Sequence, residues 1–175
     1  MTDLTRGVHE FIAQTSEMAA RYPLSSWGTL RFLLAFAERF AFIRLQDLWH
    51  PVRFLSQMEG APPVKLGMEG FKHSLLDDTN PARHYAAFVF VGYCLPNLLG
   101  LWVLWLWELA GAVRYGYWSQ PDVRSGYTGF YHGRLIRRYG HTILPSLMAR
   151  DLTGPSPWAR LSKSARRSKQ KMNEE

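Results

Sequence analysis

Six histidines, one cysteine and a short cluster of arginines are the residues of this chain with chemistry to offer. The histidines (His9, His50, His73, His84, His132 and His141) include no pair at helical spacing, so they offer no ready two-ligand metal face. Cys94 stands alone, which excludes an intramolecular disulfide and a cysteine-rich zinc site; it reads as a small apolar side chain. His84, at the edge of a long apolar run, is placed where a pigment or haem ligand would sit. An interface histidine is the plainer reading, because a pigment needs other helices around it. No phosphate loop, Ser/His/Asp signature or metal motif is present. The expectation is a chain without catalysis, cofactor, metal or small-molecule substrate. What remains is Arg134, Arg137 and Arg138, cations suited to phosphate oxygens, in a stretch rich in Gly and Tyr.

The element that would position these groups is the run Tyr85 to Trp107, 23 residues with no Asp, Glu, Lys, Arg or His. A helix of that length rises about 34 Å, enough for a hydrocarbon core of ~30 Å. Asn80-Pro81 offers a cap and a first helical position, and Arg83 and Arg114 bracket the run. Trp102, Trp105 and Trp107 crowd its far end, where indole rings favour the headgroup level. These features predict one transmembrane helix over 81–114, with a buried helix of a soluble domain as the competing reading. Gly92, Pro96 and Gly100 recur every four residues and form a face that another helix could approach closely. Pro96 is expected to kink the helix, and Asn97 to hydrogen-bond the freed carbonyl or a neighbouring helix.

Around that run the chain divides into 1–57, 58–80, 115–151 and 152–175. Asp3 can cap a helix from Leu4 to about Arg21, and Ser26 a second from Trp27 to about Trp49. The second is apolar almost all round, yet carries Arg31, Glu38, Arg39 and Arg44. It reads as a helix lying in a membrane interface or pressed into a larger protein, a soluble core being the alternative. Residues 58–80, broken by Gly60, Pro62, Pro63, Gly67 and Gly70, read as an extended connector along another subunit. Residues 115–151 read as a Gly/Tyr/Arg coil with a short helix, followed by a basic tail. The expected class is an all-α membrane protein with largely irregular flanks.

Charge follows the same division. Residues 1–84 hold nine Lys/Arg against nine Asp/Glu, whereas residues 108–175 hold twelve against five, which accounts for the whole net charge of +7. The basic half would sit on the negative side of a membrane, with Arg114, Arg134, Arg137, Arg138, Trp105 and Trp107 at anionic lipid headgroups. The start of the chain lacks the apolar run of a secretory signal and carries Asp3, Glu10 and Glu17, unlike a transit peptide.

On the run Tyr85–Trp107, the coil Tyr115–Gly140 and the tail from Arg160, the layout resembles supernumerary single-span subunits of mitochondrial inner-membrane complexes. The resemblance implies a structural or assembly role in a respiratory-chain complex, or in ATP synthase as the alternative. It also implies neighbouring subunits and cardiolipin as partners; in such a membrane the charge asymmetry would place the C-terminal segment in the matrix. A basic protein associated with the mitochondrial ribosome or nucleic acid, its central helix buried, is the other class; nucleic acid is the less expected partner, since the basic residues are concentrated after the run rather than spread over a nucleic-acid platform.

Overall fold

The computed structural model describes residues 7–44, 64, 66–76 and 81–154. Among them the chain forms six α-helices: α1 (Val8–Ala20), α2 (Ser26–Ala41), α3 (Pro81–Cys94), α4 (Asn97–Tyr115), α5 (Gln120–Tyr139) and α6 (Leu144–Leu152). Single 3-10 turns occupy His73–Leu75 and His141–Ile143, and the described residues hold no strand, only an isolated bridge between Phe71 and Thr153. The all-α class stands. The spanning helix does not: no helix of the described residues is long and apolar enough to cross a membrane.

The reason lies at Pro96. α3 stops at Cys94, Pro96 takes an extended conformation (φ −59°, ψ 155°), and α4 starts afresh with Gly100 N–H donating to the Pro96 carbonyl. Proline lacks the N–H that would continue the ladder and clashes with the turn before it, so the helix ends there rather than kinking. α4 then runs back along α3: Gly100 lies beside Phe130, Leu104 beside Gly126, and Glu108 beside His84. The 23-residue run is therefore the two arms of a hairpin. With no crossing helix, the assignment of residues 1–84 and the C-terminal segment to opposite sides of a membrane loses its basis.

The first arm is apolar because it is core. On α3, Tyr85, Ala86 and Val89 are fully buried, in one cluster with Val8 and Phe11 of α1, Phe32, Leu33, Phe36 and Phe40 of α2, Ile136 of α5, and Leu144, Met148 and Leu152 of α6. Phe11 sits at the centre, with ring centroids 4.7 Å from Phe40 and 5.9 Å from both Phe36 and Tyr85. α2, expected on a membrane or partner, thus buries its phenylalanines in this chain, the alternative weighed for it. Its charges are dealt with at the surface: Arg39 donates to Gln14 of α1, and Glu38 lies 3.5 Å from Arg44. Ser25, not Ser26, caps α2, its Oγ accepting from Gly28 N–H at 3.0 Å; Phe42, at φ 61°, ends the helix at Ala41. Gly7 is the N-cap of α1, and the Asp3 cap lies outside the described residues, as do residues 45–63 and the basic tail.

Two further readings change. The segment 115–140 is not coil: Ser119 Oγ caps Asp122 N–H, Pro121 occupies the first turn, and α5 continues for 20 residues. Its glycines are packing sites. A Cβ on Gly129 would stand 2.4 Å from the Tyr85 carbonyl oxygen, and one on Gly133 2.1 Å from that of Val89. α3 and α5 thus run parallel with their backbones in contact. Gly92 faces the Phe130 carbonyl and Gly100 the Phe130 ring, so the neighbour of the small-residue face is α5 of the same chain. The connector 58–80, where described, also lies on this chain: Lys72 N–H donates to the Leu152 carbonyl and Gly154 N–H to that of Gly70.

Candidate functional site

The other helices show few large aliphatic or indole side chains, Trp27 of α2 being one; α4 shows many. Leu98, Leu99, Trp102, Val103, Trp105, Leu106, Leu109 and Val113 all point outward, with Trp102 64% and Val113 79% exposed. Its inner face makes only a small cluster, Phe88, Leu104 and Phe130, flanked by Val91, Leu101 and Trp107. A shallow groove of about 230 Å³ runs among Leu98, Leu101, Trp102 and Trp105. Isolated exposed leucines are ordinary, whereas a contiguous apolar helix face marks a surface that meets lipid or protein.

The face continues beyond α4. Trp105 stacks on Trp118 (5.7 Å between centroids) and meets the Tyr127 ring of α5 edge-on (6.4 Å). Along α5 the exposed positions include Arg124, Tyr127, Tyr131, Arg134 and Arg138, besides Gln120, Arg137 and Tyr139. The 3-4-3-4 spacing of the first five keeps them on one side of the helix.

Of the residues expected at headgroups, Trp105, Arg134, Arg137 and Arg138 are exposed, while Trp107 is half-buried against the inner cluster. Arg114 falls in the last turn of α4, and its side chain lies outside the described residues. Pro96 and Asn97 are exposed at the hairpin turn rather than buried in a packing face. Arg124, Tyr127 and Tyr131 are not among the residues expected at headgroups from the sequence, because a coil hides the spacing that sets them on one face with Arg134 and Arg138.

Three histidines are built into the interior, and each carries a different answer. His141, fully buried, has Nδ1 3.0 Å from Thr29 Oγ1 and Nε2 3.2 Å from the Ala19 carbonyl. A carbonyl only accepts, so Nε2 carries a proton, and Nδ1 pairs with the Thr29 hydroxyl. His132, also fully buried, has Nε2 2.9 Å from Asp151 Oδ2 and Nδ1 2.6 Å from the Tyr85 hydroxyl. Burial lowers its pKa, outweighing the pull of Asp151, and a neutral ring satisfies both partners. The hydrogen-bonded Arg150 guanidinium, with His132, holds Asp151 down to about 2, while burial and the Asp151 charge keep Tyr85 well above the usual phenol range. This Tyr–His–Asp chain has the parts of a proton relay, but its tyrosine and histidine are sealed from solvent, so it acts as a polar tie between α3, α5 and α6.

His84 differs. Its Nε2 lies 3.1 Å from Glu108 Oε1, the side chains being 14% and 6% exposed, and neither atom has an aligned hydrogen bond. Phe88 packs on the ring at 4.9 Å, and Gly126 leaves room for it. The pair fastens α4 to α3 at one end. Among the described residues no group of three His, Cys, Asp or Glu could hold a metal ion.

No protein-family model matches the chain, and no curated protein or solved structure matches it either. The function is therefore argued from the geometry.

Proposed function

We propose that this protein is a structural accessory protein that works at a membrane surface, held there by α4. The observation that carries the reading is the outward face from Leu98 to Val113, which bears no exposed polar side chain and, among the described residues, no helix upon it. A helix of this kind lies in the plane of the bilayer, its apolar face ~5–10 Å into the headgroup–acyl boundary. Trp102, Trp105 and Trp118 supply indole rings suited to that depth. Attachment to a respiratory-chain or ATP-synthase complex is a narrower form of the same proposal. It drew its strength from an uninterrupted span, and membrane-surface attachment is the form supported by the hairpin.

The test is co-flotation of the purified chain with phosphatidylcholine vesicles. The wild type is expected to float, and W102S/L106S to lose at least ten-fold in partitioning, since each large side chain contributes about 1.5–3 kcal/mol when fully buried. A wild type that stays at the bottom of the gradient overturns the proposal.

A further inference from the structure

We propose that the stripe Arg124, Tyr127, Tyr131, Arg134 and Arg138 on α5 is a binding surface for anionic phospholipid headgroups. It rests on the membrane reading of α4 and adds to it a lipid class and a direction of docking.

Position comes first. Trp105 is an outward residue of α4 and its ring meets Tyr127, so the stripe begins where the apolar face ends. A flat surface that takes Trp102, Trp105 and Leu98 into its acyl boundary meets Tyr127 and Tyr131 beside them, at headgroup level. Charge comes second. From Val123 to Tyr139 the helix has no acidic residue, and Arg124, Arg134 and Arg138 are exposed. None of the three makes an ion pair among the described residues, and Arg138 rests over the Tyr139 ring at 5.3 Å. Arg137, exposed in the same turn as Arg134 and Arg138, adds a fourth cation off the stripe. Chemistry comes third. Guanidinium groups bind phosphate oxygens bidentately, while tyrosines interleaved with them place a ring in the boundary and a hydroxyl in water. An apolar face bordered on one side by a cationic, aromatic stripe thus matches an anionic bilayer better than a neutral one.

The experiment compares full-length protein on vesicles of phosphatidylcholine alone and of phosphatidylcholine mixed with phosphatidylglycerol. The wild type is expected to prefer the mixed vesicles, and the preference to shrink as salt rises. The variant R124Q/R134Q/R138Q should lose about five-fold per arginine on mixed vesicles, and on the order of a hundred-fold in all, while its binding to phosphatidylcholine is unchanged. An unchanged circular dichroism spectrum shows that the variant is folded. Equal wild-type binding to both vesicles, or a variant that keeps the preference, overturns this inference and leaves the α4 reading in place. Loss of wild-type binding to phosphatidylcholine strikes at α4 instead. Tighter capture of duplex DNA than of mixed vesicles, at equal phosphate concentration, reassigns the stripe to nucleic acid and overturns the lipid assignment.

Discussion

At the scale of single residues, the polar interior sets how the fold responds to acid. His132 is neutral in the folded chain because burial disfavours its cation, while the unfolded histidine takes up a proton near pH 6.5. Asp151 is held to about 2 by Arg150 and His132, against an unfolded value near 3.9. Both are depressed in the folded state, so both contribute stability that is present above the unfolded value and lost on acidification. The melting temperature is therefore expected to fall in two stages: first below about pH 6.5 as the unfolded state gains the His132 proton, then from about pH 4 toward 2 through Asp151. His132→Gln should remove the first stage. A melting profile of H132Q that keeps the same slope between pH 6.5 and 5 would place the titration elsewhere. None of this was legible beforehand: His132 and Asp151 are 19 residues apart, and Tyr85 is 47 residues from His132. Only the packing of α3, α5 and α6 brings them together.

At the scale of elements, the instructive case is α5. Its glycines look like helix breakers when counted, yet Gly126, Gly129 and Gly133 fall at spacings of three and four, on one face. A breaker count ignores period, and period here was the stronger signal. The cost of each glycine in helix propensity, ~1 kcal/mol, is offset by the backbone contact it allows with α3. The second arm of the hairpin has a glycine of the opposite kind, since nothing lies within 4 Å of a Cβ built on Gly111. The two alanine substitutions should therefore differ in sign. Gly133→Ala forces a methyl group against the Val89 carbonyl and should destabilise by about 1–3 kcal/mol. Gly111→Ala should stabilise by up to ~1 kcal/mol. Urea titration measures both, and a destabilised G111A would mean that the outer side of α4 is already occupied. The apolar run itself was legible; its division into two helices was not. A proline at the middle of 23 uncharged residues admits a hairpin as readily as a kinked span, and partners for both arms within the chain decide for the hairpin.

At the scale of the whole molecule, the two arms of that hairpin have opposite fates. α3 is enclosed by α1, α2 and α5, whereas α4 is joined through three buried side chains and the His84–Glu108 pair. The chain thus carries a well-filled core and, on one flank, a helix with eight large apolar side chains exposed. In water without lipid that flank has a cost at every concentration, since single-chain proteins rarely leave patches beyond a few hundred Å² uncovered. Two copies can cover the faces mutually, through a self-complementary contact of the same patch on each. The purified protein is accordingly expected to associate in a concentration-dependent way in lipid-free buffer, and to return to a monomer when phosphatidylcholine bicelles are added. L106K, which sets a charge in the middle of the outward face, should be monomeric in buffer and fail to enter the bicelle fraction. Analytical ultracentrifugation distinguishes the cases. A dimer that survives bicelles would assign the face to a second copy rather than to the bilayer, and a wild type that is monomeric at every concentration would show that α4 is covered by another part of the chain.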